Sequence, residues 1–166
     1  MLSVTRLREL LHYDSESGVF TWRVRPTKRS RVRPGDVAGV VNHKGYRYIG
    51  VEGVRYLAHR LAWFYSYEVW PTNEVDHVDR CPTNNSLSNL RDVTHAENQQ
   101  NKQKAYVGNK SSGMLGVCLD RRNSKWKAHI QAFGVRKHIG FFDTKEAARV
   151  AYLSAKQTLH VHAGGV

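Results

Sequence analysis

The sequence predicts an α+β protein, and three observations indicate this class. Short stretches of alternating apolar and polar residues recur between turn formers, as in residues 18–25. Two other segments, 56–67 and 144–159, carry apolar or small residues at helical spacing instead. With 40% hydrophobic residues over 166 positions, the chain can bury one ordinary core or two small ones.

The first 35 residues predict a helix, a hairpin and a basic arm. Residues 3–11 are expected to form the short helix, and residues 18–25 one strand of the hairpin. Residues 23–33 then hold six basic side chains and no acidic one, which suits an arm laid along phosphates. A solvated loop is the alternative interpretation.

A small sheet and a helix should follow the arm. Residues 36–56 contain strand-like stretches separated by turn formers at 42–45 and 52–53. Residues 56–67 then predict a helix packed on that sheet, and His59 on this helix is assigned a structural role.

The residues that carry chemistry come next. Hydrolysis of a phosphodiester requires an activated water and stabilisation of charge on the phosphoryl and leaving oxygens. His77, at the end of a strand-like stretch, is the candidate base, and Asn89 follows 12 residues later. The neighbouring Asp76 would point to the opposite face of an ideal strand. Both side chains can therefore reach one phosphate only if the strand ends or twists there.

A metal site is expected beside this base. Thr94 and Glu97 form a capping-box pattern, which predicts a helix start at Thr94 and puts Asn98 on its first turns. The oxygens of Asp76 and Asn98 are hard ligands suited to Mg²⁺, with Mn²⁺ as a possible substitute. Because two protein ligands with one charge make a weak site, tight metal binding is expected only with DNA present.

Composition indicates the partner and the compartment. A net charge of +12 points first to a nucleic acid, here double-stranded DNA, and second to an anionic membrane. We expect no membrane partner and a soluble, cytoplasmic protein, because no apolar run reaches 18 residues and the first residues lack a secretory signal. Cys81 and Cys118 belong to no paired motif, so zinc is not expected and both should be free thiols.

The carboxy-terminal third is the most basic part. Residues 102–166 hold 12 basic and 3 acidic side chains (12 − 3 = +9), against +3 for residues 1–101. Strands are predicted at 116–119, 125–133 and 138–142, and a helix capped by Thr144 at 144–159. A small-residue stripe on the helix should pack on one face of the sheet, which leaves the other face to present basic side chains to DNA.

The segment EVDHVDRCPTNNSLSNLRDVTHAENQQN resembles the ββα-metal core of HNH endonucleases, in the phage homing subgroup that ends in Asn. The resemblance implies that Asp76 and Asn98 bind the metal, that His77 is the general base, and that Asn89 orients the His loop. The upstream text YDSESGVFTWR, NHKGYRYI and AHRLAW resembles the segment that precedes such cores.

The segment from SGMLGVCLDRRNSKWKAHI to GFFDTKEAARVAYLSAKQTL resembles the DNA-binding domain of plant ethylene-response transcription factors, also found fused to phage HNH enzymes. The resemblance implies a three-stranded antiparallel sheet with one helix that binds DNA through the sheet. Trp126 is equally well explained by core packing. The candidate DNA contacts, arm included, are Arg23, Arg25, Lys28, Arg29, Arg31, Arg33, Arg121, Arg122, Lys125, Trp126, Lys127, Arg136 and Lys137.

Together these features predict four parts: a β-rich extension at 1–56, an HNH core at 57–101, a linker at 102–112 and a DNA-binding domain at 113–166. The predicted activity is that of a metal-dependent, sequence-guided homing endonuclease in a phage-infected bacterial host. It would have no small-molecule substrate and would act as a monomer or homodimer. A DNA-binding regulator with an inactive nuclease fold remains an alternative, as does a basic RNA-binding protein.

Overall fold

The computed structural model describes residues 2–27, 30–101, 111–132 and 134–159. The chain divides into two compact units, Met1–Val93 and Thr94–Val166. The described residues form a mixed α/β architecture of small antiparallel sheets and four α-helices, in agreement with the predicted class. The division falls inside the predicted 57–101 core, and the predicted domain boundaries stay predictions.

The first unit begins with the predicted helix and hairpin. Helix α1 (Val4–Leu10) starts where the Ser3 hydroxyl accepts a hydrogen bond from the Arg6 amide at 3.1 Å. Strand β1 (Leu11–Asp14) pairs with β2 (Val19–Trp22), and Leu7, Leu11 and Phe20 are fully buried between these elements.

The second sheet of this unit has the order β3 (Val40–Val41), β4 (Arg47–Val51) and β5 (Val54–Leu57). Both predicted turns are present. The Asn42 side chain accepts the Lys44 and Tyr46 amides, and Glu52 and Gly53 both have positive φ, as tight hairpin turns require.

Helix α2 (Ala58–Tyr67) packs its Ala58, Leu61 and Phe64 into the same core as α1 and the first hairpin. It begins two residues later than predicted. Tyr56 and Leu57 pair with Ile49 and Tyr48 on β4, and these ladder hydrogen bonds outweigh the helical spacing of the side chains.

A two-stranded ribbon completes the first unit. Strand β6 (Glu74–His77) pairs antiparallel with β7 (Leu90–Val93), and a 3₁₀ turn (Leu87–Asn89) leads into β7. The register sets Asp76 opposite Arg91, and His77 opposite Leu90. Asp76 and His77 therefore lie on opposite faces of the ribbon.

The second unit opens with helix α3 (His95–Asn101). The Glu97 carboxylate accepts the Thr94 amide at 2.8 Å, and the Thr94 hydroxyl accepts the Glu97 amide at 3.3 Å. This reciprocal pair is the predicted capping box, so the predicted helix start is confirmed.

The remaining elements form the predicted sheet and helix. Strands β8 (Val117–Asp120), β9 (Lys125–Ala132) and β10 (Val135–Phe142) make an antiparallel sheet of order β10-β9-β8, covered by α4 (Lys145–Leu159). Strand β10 begins three residues earlier than predicted, because the ladder with β9 starts at Val135 and Ala132. The predicted linker at 102–112 lies mostly outside the described residues.

None of the described helices is long and apolar enough to span a membrane.

Gly18 generates a prediction about the first unit. Its φ is +71°, and an added Cβ would overlap the backbone of Asn85 and Ser86. We expect Gly18→Ala to lower the free energy of unfolding by about 3 kcal/mol or more. Gly53→Ala is the matched control, because Gly53 also has a positive φ (+82°) but open space around it, and should cost about 1 kcal/mol. Denaturant unfolding measures both, and equal losses would contradict the predicted overlap.

Candidate functional site

Asp76 forms an ion pair with the arginine opposite it on the ribbon. Its Oδ2 atom accepts hydrogen bonds from Arg91 Nη2 at 2.7 Å and from Arg91 Nε at 3.0 Å. Only 11% of the Asp76 side chain and 21% of the Arg91 side chain are exposed. The carboxylate predicted to bind metal is thus held by a cation of the chain itself.

His77 ends β6 on the other face of the ribbon and is buried. Its ring packs edge to face against the ring of His59, with centroids 5.1 Å apart, and its centroid lies 6.2 Å from that of Tyr46. Beyond His77 the chain turns, with the Arg80 amide donating to the His77 carbonyl. The strand therefore ends at His77, which is one of the two conditions under which both side chains could approach one phosphate.

A buried asparagine orients the His77 ring. Asn85 Oδ1 lies 3.2 Å from His77 Nε2, and Asn85 Nδ2 donates to the Thr83 carbonyl at 3.2 Å. Because the amide nitrogen is directed at that carbonyl, the amide oxygen accepts from the imidazole. This contact selects the tautomer that carries its proton on Nε2 and its lone pair on Nδ1.

The first hairpin supports Asn85. The Tyr13 hydroxyl donates to the Asn85 carbonyl at 2.7 Å, and the Leu87 amide donates to the Ser15 carbonyl at 2.9 Å. Burial raises the pKa of Tyr13, so its hydroxyl remains a neutral donor. Gly18 permits the close approach of the hairpin to this segment.

Asn89 holds the loop that follows His77. Its side-chain oxygen accepts the Asp79 amide at 2.9 Å, and its nitrogen donates to Asp79 Oδ1 and to the Asn84 carbonyl. Burial opposes ionisation of Asp79, but hydrogen bonds from the Cys81 amide, Asn84 and Asn89 outweigh it and lower the pKa of this carboxyl. The predicted loop-orienting role of Asn89 accords with these contacts and stays a prediction.

Asn98, the other predicted ligand, lies on α3 in the second unit. Its backbone N–H donates to the Thr94 carbonyl. No group of three or more His, Cys, Asp or Glu side chains that could hold a metal occurs among the described residues. The oxygen donors of Asp76 and Asn98 nevertheless match the chemistry of a hard divalent cation that keeps several waters. The metal site therefore stays a prediction.

The described residues of the basic arm lie in a loop, and backbone hydrogen bonds at its two ends join it to the last residue of α1 and to the first hairpin. The Arg23 amide donates to the Leu10 carbonyl, the Gly35 amide to the Trp22 carbonyl and the Trp22 amide to the Asp36 carbonyl. All of the described predicted contacts of the arm are exposed: Arg23, Arg25, Arg31 and Arg33. Lys28 and Arg29 lie outside the described residues.

In the second unit the strand register divides the predicted contacts between two faces. Lys125 and Lys127 alternate with the buried Ala128 and Ile130, so they lie on the face opposite α4. Arg136 shares this face because it pairs with Gln131. Arg121 and Arg122 lie in the exposed turn before β9.

Two of the predicted contacts, Lys137 and Trp126, lie on the helix side of the sheet. Lys137 pairs with the buried Ile130, and Trp126 packs against the core that α4 covers, so both are on the helix side of the sheet. The prediction that Lys137 lies on the same outward face as Arg136 is wrong, because adjacent residues of a strand point to opposite faces of the sheet. For Trp126 the structure favours the core-packing alternative.

Asn85 and Arg91 were not among the residues predicted for the site. Nothing in the local sequence separates Asn85 from the neighbouring Asn84. Arg91 lies opposite Asp76 because of the register that the 3₁₀ turn sets, and no signal in the sequence fixes that register.

His59 has a packing role, as predicted, but its packing partner is the candidate base. Burial, followed by repulsion from His77 and Arg60, lowers the pKa of His59 to about 3. His59 is therefore neutral at neutral pH and adds no charge beside His77.

The family model described as HNH endonuclease matches residues 56–100. The matched segment contains Asp76, His77, Asn89 and Asn98 and supports a nuclease of the HNH class, an enzyme type that acts on DNA and generally uses divalent metal ions. Neither the curated proteins nor the solved structures gave a significant match.

The low pKa of His59 predicts acid sensitivity of the fold. Between pH about 6.5 and about 3, unfolded chains bind a proton at His59 and folded chains do not. The free energy of unfolding should therefore fall on acidification through this window, with a contribution of about 1.4 kcal/mol per pH unit from His59. Denaturant unfolding between pH 7 and 4 should show a shallower fall for His59→Gln. The control His43→Gln, at an exposed turn position, should keep the wild-type slope, and a wild-type slope in His59→Gln would refute the prediction.

Proposed function

We propose that this chain is a metal-dependent DNA endonuclease of the HNH class that acts as a sequence-guided homing enzyme. One observation carries the proposal: within the matched segment, His77 ends a strand next to Asp76 and has its ring oriented by a buried amide. Phosphodiester hydrolysis requires a general base and a ligand for a metal ion. The oriented imidazole and the carboxylate, which lie on opposite faces of the ribbon, are groups of these two kinds.

His77 is the general base of the proposed reaction. Its Nδ1 lone pair takes a proton from a water molecule while Asn85 accepts the Nε2 hydrogen of the ring. The water oxygen forms a bond to phosphorus, the bond from phosphorus to the 3′ oxygen breaks, and the leaving oxygen takes a proton from a second water molecule. The products are a 5′-phosphate and a 3′-hydroxyl end.

Asp76 and Asn98 are the proposed ligands of Mg²⁺, for which Mn²⁺ could substitute. The assignment of Asn98 rests on the family pattern and its place in the matched segment. A divalent cation held by these oxygens would stabilise charge on the phosphoryl oxygens and on the leaving 3′ oxygen. Asn89 retains the loop after His77 through its three hydrogen bonds.

DNA binding is assigned to the arm and to the basic face of the second unit. The described arginines of the arm are exposed on an anchored loop, and Lys125, Lys127 and Arg136 share the open face of the sheet. The likeness to ethylene-response domains favours the same face. With one catalytic centre per chain, a monomer would nick one strand, and a double-strand break would need a dimer or sequential action.

Cleavage should depend on His77 and Asp76. We expect His77→Ala and Asp76→Asn to reduce nicking of supercoiled plasmid in Mg²⁺ by about 10³-fold, because one removes the base and the other a metal ligand. Gel assays of the initial rate measure this, and EDTA should abolish the product. His43→Ala, at an exposed turn position, is the control and should keep the wild-type rate.

A His77→Ala protein that nicks at the wild-type rate would refute the assigned base. Metal-independent binding to duplex DNA without any cleavage by the wild-type protein would favour the DNA-binding regulator instead. Preferential binding of folded RNA in competition would favour the RNA-binding alternative.

DNA affinity should fall steeply with salt, and the arm should account for part of that dependence. Removing two phosphate contacts with Arg31→Ala and Arg33→Ala should weaken duplex binding and reduce the slope of log K against log salt by about 1.8. Fluorescence anisotropy measured between about 50 and 200 mM salt provides the slope. Arg55→Gln, an exposed charge on β5, is the control. An unchanged slope in the double variant would remove the arm from the interface.

A further inference from the structure

The backbone pairing of β6 with β7 brings the guanidinium of Arg91 into contact with Asp76, the predicted metal ligand. The β6–β7 register sets Asp76 and Arg91 directly opposite each other, so their side chains share one face of the ribbon. Two N–H groups of the guanidinium converge on the same carboxylate oxygen, Oδ2, at 2.7 and 3.0 Å. Both side chains are mostly buried, which weakens the screening of this pair by solvent.

The pairing has an electrostatic consequence for metal binding. Arg91 neutralises the carboxylate of the predicted ligand pair, since the other member, Asn98, carries no charge. A divalent cation at Asp76 would compete with the guanidinium for Oδ2 and would be repelled by it at short range. A phosphate group brought to the same place would offset both positive charges.

We propose that Arg91 is a positioning residue that holds Asp76 in the free protein and opposes metal binding until a DNA phosphate is present. This inference rests on the proposed function, because it takes Asp76 as a metal ligand. When DNA binds, the guanidinium exchanges its carboxylate partner for a phosphate oxygen, and Oδ2 becomes available to the cation. The nuclease is thereby kept from loading metal in the absence of its substrate.

Such an arrangement couples the two ligands thermodynamically. If DNA raises the affinity for the cation, the cation raises the affinity for DNA by the same factor. Removal of the Arg91 charge should therefore have two effects. Metal should bind more tightly without DNA, and the additional tightening caused by DNA should shrink.

The first measurement is Mn²⁺ binding to the full chain without DNA, followed by the electron paramagnetic resonance signal of free Mn²⁺. Arg91→Gln removes the competing charge and should bind Mn²⁺ on the order of tenfold more tightly than the wild type, a usual size for coupling between sites. Arg91→Lys keeps a cation and should stay within about threefold of the wild type. Arg55→Gln removes an equal charge from an exposed position of the same unit and should leave the affinity unchanged.

The second measurement adds a mixed-sequence duplex to proteins that also carry His77→Ala, which prevents cleavage. DNA should tighten Mn²⁺ binding strongly when Arg91 is present and only weakly in His77→Ala/Arg91→Gln. Circular dichroism and thermal unfolding establish that each variant is folded. Arg91→Met, which keeps much of the aliphatic stem and has no charge, replaces Arg91→Gln if the glutamine variant is unfolded.

The variant Asp76→Asn distinguishes a failure of the proposed metal site from a failure of the proposed role of Arg91. If this variant binds Mn²⁺ as the wild type does, Asp76 is not a ligand and the proposed metal site fails. If Asp76→Asn loses Mn²⁺ but the folded, uncharged Arg91 variant binds no more tightly than the wild type, the metal site stands and the role of Arg91 is overturned. Tighter Mn²⁺ binding and a smaller DNA effect in that variant would support the role of Arg91.

Discussion

The hydrogen bond between Asn85 and His77 is the contact on which the candidate site depends. An imidazole has two nitrogens, and a base requires a lone pair on the nitrogen that meets the water. Asn85 settles which nitrogen carries the proton, and it is in turn held by Tyr13, Thr83 and the close approach of Gly18. The N-terminal hairpin is therefore part of the construction of the site, although it contributes no reacting atom.

The two faces of the β6–β7 ribbon differ in the charge of the side chains that they carry. Antiparallel alternation directs His77 toward the rings of His59 and Tyr46, and Asp76 toward Arg91. Burial keeps His59 uncharged, so the proposed base has a neutral neighbour on one side. The carboxylate, by contrast, faces a permanent cation. The same two-residue alternation thus gives the proposed base a neutral environment and the proposed metal ligand a charged one.

Local patterns predicted local structure well where the cause was local. The Thr94–Glu97 capping box and the turns at 42–45 and 52–53 need only neighbouring residues, and the structure has all three. Boundaries were less accurate where pairing with another strand intervened, as at the start of α2 and of β10. The predicted face of Lys137 was wrong because Arg136 and Lys137 are adjacent basic residues, and their charges alone do not show which of them faces the helix.

The sequence by itself determined the α+β fold class, the order of the helices and turns, the basic character of the predicted binding regions and the candidate residues Asp76, His77, Asn89 and Asn98. Only the tertiary structure decided that Asn85 orients His77 and that Arg91 neutralises Asp76. Capping, turn and charge patterns act over a few residues, so they can be read along the chain. The contacts of Asn85 and Arg91 join residues 8 and 15 positions apart, and they exist only because the hairpin register and the packing of Tyr13 and Gly18 bring them together.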